Sequence, residues 1–475
     1  MSTVGAPALL EGLIERLAAR LRDALRRARR TGAPVLASAS APWPGVHDPL
    51  AIARASRRTG EPWFYLEQPA RQGAALAALG CVRELAAVGE GRFGALAAAW
   101  RELSAGALCD EPAGPAGAGL VALGGFAFHP SGGGSAAWDG FPPASLIVPE
   151  LALARRADQT WLTLALEVAP DDTGEDLLAR AARRLRELRE APLPLLDPAP
   201  TGRHRVLSPI PPAHYEEAVA RALELIAAGE LEKIVLAREV EVHAPADYEA
   251  GALLGVLREA FDECFVFAVG RGEAALIGAS PELLVRREGQ RAATVALAGS
   301  ARRSADPAVD DHLGERLLRS DKDREENAIV ARRIARALRP HALWVTTAAE
   351  PALVRIANIQ HLATPIRAQL AQPLDAVTLA GLLHPTPAVG GEPPARAEKL
   401  IPALEGLDRG WYAGGIGWVD QAGDGEFCVA LRCALLRGRL ARCYAGCGIV
   451  RDSEPSAELA ETEIKLGALL PLLAG

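Results

Sequence analysis

The sequence predicts a globular protein that mixes helices with strands, some of them paired antiparallel. Apolar residues follow helical spacing near the N-terminus and over residues 215–228, where Gly229 ends the pattern. Aromatic residues favour strands at 63–66 and 125–128, and residues 151–164 have the pattern of an antiparallel hairpin. A chain of 475 residues that is 49% hydrophobic can bury one very large core or two ordinary ones.

The first element is a basic amphipathic helix. Leu13, Leu17 and Leu21 share one face, with arginines between them. Such a helix can direct targeting or lie on a membrane surface. Glu11 and Glu15 interrupt the positive charge and favour an ordinary helix docked on the protein.

A boundary is predicted at the proline-rich passage of residues 191–212, which follows a charged helix near residues 174–190. Proline can neither continue a helix nor sit centrally in a sheet. We therefore divide the chain into residues 1–200 and residues 210–475. Beyond the boundary, residues 233–238 have the composition of a strand.

Composition and motifs exclude several classes of function. The formal charge of −7 and the pI near 5.8 argue against nucleic acid or an anionic membrane as a partner. There is no apolar run of about 18 residues and no signal-type segment, so we expect a cytoplasmic protein. Seven cysteines without a CxxC arrangement indicate reduced thiols. HExxH, GxSxG and GxxxxGK[ST] motifs are also missing, which argues against zinc proteases, serine hydrolases and P-loop enzymes.

Two charged residues stand beside apolar strands. Lys233 opens the strand at 233–238, where burial would lower its pKa and let it act as a base. Glu282 follows Pro281 at the start of another strand, where a partly apolar setting would raise its pKa and let it donate a proton. A strand-end lysine reaching water and an exposed turn glutamate are the ordinary alternatives.

Acidic residues near the C-terminus are spaced for one helix face. Glu458, Glu461 and Lys465 are three and four residues apart, and Glu326 lies in another charged segment. Carboxylates on one face suit magnesium, whereas solvated ion pairs are the alternative.

An anion site is indicated by Gly446 and Gly448, whose backbone N–H groups could approach an anion closely. Arg432 could clamp a carboxylate with two hydrogen bonds, and an arginine on a surface strand is the alternative.

The residues of these motifs and their order along the chain resemble those of the chorismate-binding enzymes, and within them the isochorismate synthases. The resemblance runs from about Tyr215 to the C-terminus and extends more loosely through residues 125–128 and 138–164. It implies an α+β fold in which two lobes of large antiparallel sheet pack on each other with helices outside, the N-terminal lobe completing the core. The matching blocks are residues 233–238, 278–284, 296–300, 360–364, 384–391, 408–414 and 461–465.

The resemblance also implies the chemistry. It makes Lys233 the base that activates water for attack at C2 of chorismate, and Glu282 the acid that protonates the departing C4 hydroxyl. Glu326 and Glu461 match magnesium ligands, with Glu458 nearby, and the ion takes the ring carboxylate of the substrate. The remaining positions expected at the substrate are Ala298, Gly299, His361, Arg432, Tyr444, Gly446, Gly448 and Lys465.

Water is the expected nucleophile. Aminodeoxychorismate synthases carry a nucleophilic lysine where this chain has Ala298, and anthranilate synthases carry a GAPK block where it has residues 386–393. The expected product is isochorismate, and its use for menaquinone, a catechol siderophore or salicylate stays open. The alternatives are a salicylate synthase, an anthranilate synthase component I and a catalytically silent subunit of an amidotransferase. The intact Lys233 and Glu282 argue against silence, and we expect a monomer.

Three positions depart from the family pattern. Asn327 stands where a histidine commonly follows the metal glutamate, Ser300 replaces threonine, and Cys447 replaces alanine between the two glycines. None removes a proposed catalytic group, but Asn327 changes the surroundings of the metal site.

Overall fold

A computed structural model describes residues 7–111, 113–197 and 202–475. Two antiparallel sheets with helices around them confirm the α+β class. The helices are α1 (Pro7–Thr31), α2 (Pro49–Ser56), α3 (Arg92–Gly106), α4 (Gly174–Arg186), α5 (Pro212–Ala227), α6 (Ala250–Ala260), α7 (Pro307–Arg319), α8 (Asp321–Leu338), α9 (Ala376–Leu383), α10 (Pro394–Glu405), α11 (Pro455–Leu466) and α12 (Leu470–Ala474).

The strands are β1 (Val35–Trp43), β2 (Trp63–Gln68), β3 (Ala74–Leu79), β4 (Arg83–Ala87), β5 (Val121–Phe126), β6 (Ala144–Val148), β7 (Leu151–Arg156), β8 (Gln159–Val168), β9 (Arg205–Leu207), β10 (Lys233–His243), β11 (Phe265–Arg271), β12 (Ala274–Ser280), β13 (Leu283–Glu288), β14 (Arg291–Arg302), β15 (Ala342–Thr347), β16 (Ala352–Ile356), β17 (Ile359–Leu370), β18 (Gly391–Glu392), β19 (Gly415–Asp420), β20 (Gly425–Val429), β21 (Cys433–Arg437) and β22 (Leu440–Ile449).

The larger sheet has the order β1-β8-β7-β3-β2-β11-β12-β21-β22-β10-β18, with β9 beside β10. The smaller sheet has the order β15-β17-β14-β13-β20-β19-β5-β6-β4, with β16 beside β17. Apolar side chains of both sheets join in one core. A second core lies between the larger sheet and helices α1, α2, α4 and α6.

Local predictions agree with the structure on both sides of the proline-rich passage. The apolar face of α1 is buried through Leu13, Leu17 and Leu21. Strands β7 and β8 form the predicted antiparallel hairpin, with Arg156 opposite Gln159. Among the described helices, none has the length and hydropathy needed to cross a bilayer.

Strands from the two sides of the passage pair with each other. β2 pairs with β11 in the larger sheet, and β5 pairs with β19 in the smaller one. The boundary between residues 200 and 210 stays a prediction, and Pro198 and Pro200 of the passage lie outside the described residues.

Candidate active site

Most of the predicted site residues gather in one narrow cleft of about 60 Å³, to which β10, β14, β17, β22, α8 and α11 contribute. Lys233 and Glu458 are buried next to it. The volume is below that of a typical small-molecule pocket, so side chains must move apart when a substrate enters. The predicted residues that line the cleft are Glu282, Ala298, Gly299, Glu326, His361, Arg432, Tyr444, Gly446, Gly448, Glu461 and Lys465.

Lys233 begins β10 with its side chain on the same face as Val235, which lines the cleft. The side chain is fully buried, and Nζ lies 2.9 Å from Oε1 of Glu326. That contact lacks hydrogen-bond geometry, so Nζ has no hydrogen-bond acceptor among the described residues. Because buried polar atoms are normally paired, Nζ is suited to a bound water or substrate oxygen.

Gly448 is required by the packing of Lys233. Gly448 faces Val235 across the pairing of β22 with β10. A Cβ at this position would overlap Oε1 of Glu326 and lie 2.7 Å from Cε of Lys233. Only glycine therefore allows the strand to approach the ion pair with both side chains in their observed positions. This steric reason is separate from the anion contact predicted for its N–H group.

Glu282 lies between β12 and β13 with 3% of its surface exposed. Its backbone is fixed, because its N–H donates to Oγ of Ser280 and its carbonyl accepts from the N–H of Val429. Burial raises the pKa of Glu282 to about 8, although the charges of Lys233 and Arg432 act in the opposite direction. At neutral pH the group is therefore mostly a carboxylic acid, which is the form a proton donor needs.

Three glutamates at the cleft each contact a lysine. Isolated buried carboxylates are costly, so the lysines stabilise this cluster of negative charge. Lys322 had no predicted role, although it lies in the charged segment that contains Glu326. The pairs are Lys233 with Glu326 at 2.9 Å, Lys322 with Glu458 at 2.7 Å, and Lys465 with Glu461 at 2.6 Å.

The glutamate cluster fits a hard divalent cation. Carboxylate oxygens of Glu458 and Glu461 and Sγ of Cys447 lie within 4.8 Å of one another. Burial raises the pKa of the Cys447 thiol well above its ordinary value, so this residue stays protonated and is no ligand for magnesium. Burial and the charge of Glu461 raise the pKa of Glu458, which shows that the carboxylates repel each other and would gain from a bound cation.

A chain of polar contacts leads from Arg432 to Glu461. Nη2 of Arg432 lies 3.1 Å from Nε2 of His361, and because a guanidinium can only donate, Nε2 is the acceptor. Burial and the charge of Arg432 hold the pKa of His361 well below its ordinary value, so the ring is neutral with its proton on Nδ1. Nδ1 lies 2.9 Å from Oγ of Ser300. Burial raises the pKa of Glu461, but Lys465 and, to a smaller extent, Lys322 and Ser300 lower it below its ordinary value. His361 had no predicted chemical role, and its contacts make it a positioning residue.

Asn327 holds the backbone beside Glu326. Its Nδ2 is within hydrogen-bond distance of the carbonyls of Ala296, Ala298 and Leu362, at 3.0 to 3.3 Å, and its Oδ1 accepts from Thr364 at 2.6 Å. These residues belong to β14 and β17, where the register shifts between Leu297 and Ser300. Asparagine at this position therefore fixes the bulge that presents Ala298 and Gly299 to the cleft.

Lys465 is already engaged by the protein. Besides Glu461, its Nζ donates to the carbonyl of Gly446 at 2.9 Å and lies 3.6 Å from Sγ of Cys447. Its contact with a substrate carboxylate stays a prediction. Arg409 and Tyr412 also line the cleft, and their only sequence signal was the matching block at residues 408–414.

The two-sheet fold and the charged groups gathered at one narrow cleft together indicate an enzyme active site. A family model described as "Chorismate binding enzyme" matches residues 23–474. The chain therefore belongs to the chorismate-binding enzymes.

Relatives and solved structures agree with this family. The salicylate biosynthesis isochorismate synthase of Pseudomonas aeruginosa is 38% identical over 461 residues, covering 95% of this chain and 93% of that protein. The isochorismate synthase MenF of Bacillus subtilis is 34% identical and covers 75% of each chain. The structure of MenF, the menaquinone-specific isochorismate synthase from Escherichia coli, superposes with a TM-score of 0.77 at 28% identity, covering 96% of this chain and 100% of that one.

Proposed function

We propose that this protein is an isochorismate synthase that converts chorismate to isochorismate with magnesium. The observation that carries the proposal is the presence of two buried ionisable groups, Lys233 and Glu282, at one cleft. Lys233 has a fully buried Nζ without a hydrogen-bond acceptor among the described residues, and Glu282 has a pKa raised by burial to about 8. The relatives named above carry the name isochorismate synthase, and this chain matches them over most of their length.

The two groups divide the reaction between them. Lys233 first releases its own proton to solvent and then accepts a proton from water as the water oxygen bonds to C2 of the ring. The ring double bonds shift, the C4–O bond breaks, and the proton of Glu282 moves to the departing hydroxyl, which leaves as water. One water is consumed and one released, and solvent then returns Lys233 and Glu282 to their starting states.

Binding falls to the residues around this pair. Arg432 is half-buried beside His361 and presents a guanidinium that can hold a substrate carboxylate with two hydrogen bonds. Glu326, Glu458 and Glu461 would hold the magnesium ion, which when bound would offset the charge of the ring carboxylate. Glu326 and Glu458 are buried, which strengthens their charge interactions.

Water is the proposed nucleophile, because the cleft has no lysine at the position of Ala298. Ala298 lines it where a lysine adduct would otherwise form, so no amine of the protein can attack from that position. Water is left as the nucleophile supplied by solvent. Salicylate synthase, in which isochorismate then loses pyruvate, is the second candidate that the same residues permit.

We also propose that the chain acts as a monomer, because one chain supplies every residue of the described cleft. The names of the relatives connect their product to salicylate and menaquinone biosynthesis, and we propose a route of that kind for the isochorismate made here.

The test is a product analysis of the purified chain with chorismate, with and without magnesium and ammonia. Isochorismate that forms only with magnesium supports the proposal. Salicylate and pyruvate in equal amounts would instead establish the second candidate, and anthranilate would overturn both. Size-exclusion chromatography with light scattering checks the monomer, which a particle of twice the mass would contradict.

A further inference from the structure

A second cavity lies beside the catalytic cleft on the same face of the larger sheet. Its volume is about 450 Å³, which is within the range of pockets that hold small organic ligands. Val235 of β10 lines the cleft. Ala237, Glu239 and Glu241 follow at every second position, so they lie on the same face of the strand, and they line the second cavity. The opposite side is formed by α5 and by residues 135–138 and 404–408.

The cavity combines an apolar lining with an excess of negative charge. Arg442 lies 3.3 Å from Glu239 and 2.9 Å from Glu241, so two carboxylates share one guanidinium. Arg238 is occupied by Glu463 at 2.6 Å. The apolar surface comes from Trp138, Ile210, Tyr215, Ala218 and Leu407.

Other charges near the cavity leave this excess in place. His243 lies 3.1 Å from Glu241 and is uncharged unless protonated. Glu405 is neutralised by Arg409, and Asp408 accepts hydrogen bonds from the N–H groups of Ser135 and Gly410. Burial raises the pKa of Glu239 to about 7, so at pH 8 this carboxylate is mostly ionised and a bound cation would offset its charge.

Two contacts form a wall that faces both cavities. Glu405 lines the second cavity and Arg409 lines the cleft, and their buried side chains are joined by a hydrogen bond of 3.0 Å. Trp138 lines the second cavity and stacks at 5.9 Å on Tyr444, which lines the cleft and stacks at 5.0 Å on Tyr412. A ligand that moves this wall therefore changes the shape of the catalytic cleft.

We propose that the second cavity is a binding site for a small organic amine, with its apolar body against Trp138 and Tyr215 and its ammonium at Glu239. Its occupant alters chorismate binding through the shared wall. This second statement rests on the proposed function, whereas the binding site itself does not.

The binding test uses 2-phenylethylamine as the probe and 3-phenylpropionate, which has the same ring and the opposite charge, as its control. Isothermal titration of the full chain at pH 8 should give a Kd for the amine at least tenfold lower than for the acid. Glu239→Gln should weaken amine binding at least tenfold, and Glu217→Gln, on the exposed side of α5, should leave it unchanged. Equal binding of the two probes, or binding that Glu239→Gln does not change, would overturn the site.

A second test of the binding site fills the cavity with a larger side chain. Ala218→Phe places a ring inside it and should abolish amine binding; Ile210→Trp, outside the helix, serves the same purpose if the first variant does not fold. Saturating amine should change the KM for chorismate at least twofold in the unaltered protein and not in the filled variant. Amine that chorismate displaces completely has bound in the cleft and refutes the site. A chain that binds the amine but does not convert chorismate refutes the proposed function alone.

Discussion

Replacing Gly448 with alanine perturbs the Lys233–Glu326 pair by a single methyl group. The added Cβ would overlap Oε1 of Glu326 and lie 2.7 Å from Cε of Lys233, inside the distance of an ordinary contact. Both crowded atoms belong to long side chains that can rotate, so we expect the free energy of unfolding to fall by only about 1–2 kcal/mol. Rotation displaces Nζ from the position proposed for the general base, however, and a shift of about 1 Å can reduce kcat roughly 100-fold.

The assay is the rate of isochorismate formation at saturating magnesium, measured beside thermal unfolding of the same preparation. Gly94→Ala is the matched control, because Gly94 is an exposed residue of α3 and its Cβ would meet nothing within 4 Å. A Gly448→Ala enzyme with normal kcat would show that the Lys233–Glu326 geometry does not matter to turnover. A variant that fails to fold would show that the backbone, and not the side chains, resists the methyl group.

Four further predictions concern the same cleft. Lys233→Ala should lower kcat at least about 100-fold in the isochorismate assay with the melting temperature retained, the scale expected for loss of a general base. Glu282→Gln should do the same; in the unaltered enzyme kcat/KM should fall as pH rises through about 8, because Glu282 then loses the proton it must donate, and a rate that stays flat to pH 9.5 would refute that role. His361→Phe should weaken magnesium binding by the substrate-free protein about 10-fold in a titration, because Ser300 loses the donor that orients it toward Glu461, and unchanged affinity would show that the contact chain has no such effect. Asn327→Leu should cost about 1–3 kcal/mol in denaturant unfolding, since it leaves buried carbonyls without a donor, and an unaltered midpoint would contradict the bulge-holding role.

The parts of the fold that were predictable depend on residues close in sequence. The helix face of Leu13, Leu17 and Leu21 and the hairpin of β7 and β8 follow from periods of 3.6 and 2, which a short segment contains entirely. Lys233 and Glu282 were identified only because ordered blocks surround them, since each alone resembles an ordinary surface charge.

The unpredicted parts of the site depend on contacts between distant segments. The lysine opposite Glu458 comes from α8, more than a hundred residues earlier in the chain, and no spacing rule connects the two. The proton position on His361 is set by Arg432, which reaches it from the connection between β20 and β21. The crowding that favours glycine at residue 448 arises only once β22 lies beside Lys233.

The pairings of β2 with β11 and of β5 with β19 also affect how the chain folds during synthesis. The first joins segments roughly 200 residues apart and the second joins segments roughly 300 residues apart, separations that make closure slow. Until residue 420 has left the ribosome, β5 has an open edge that can pair with another nascent chain. The yield of correctly folded protein should therefore depend on chaperone capacity and on temperature.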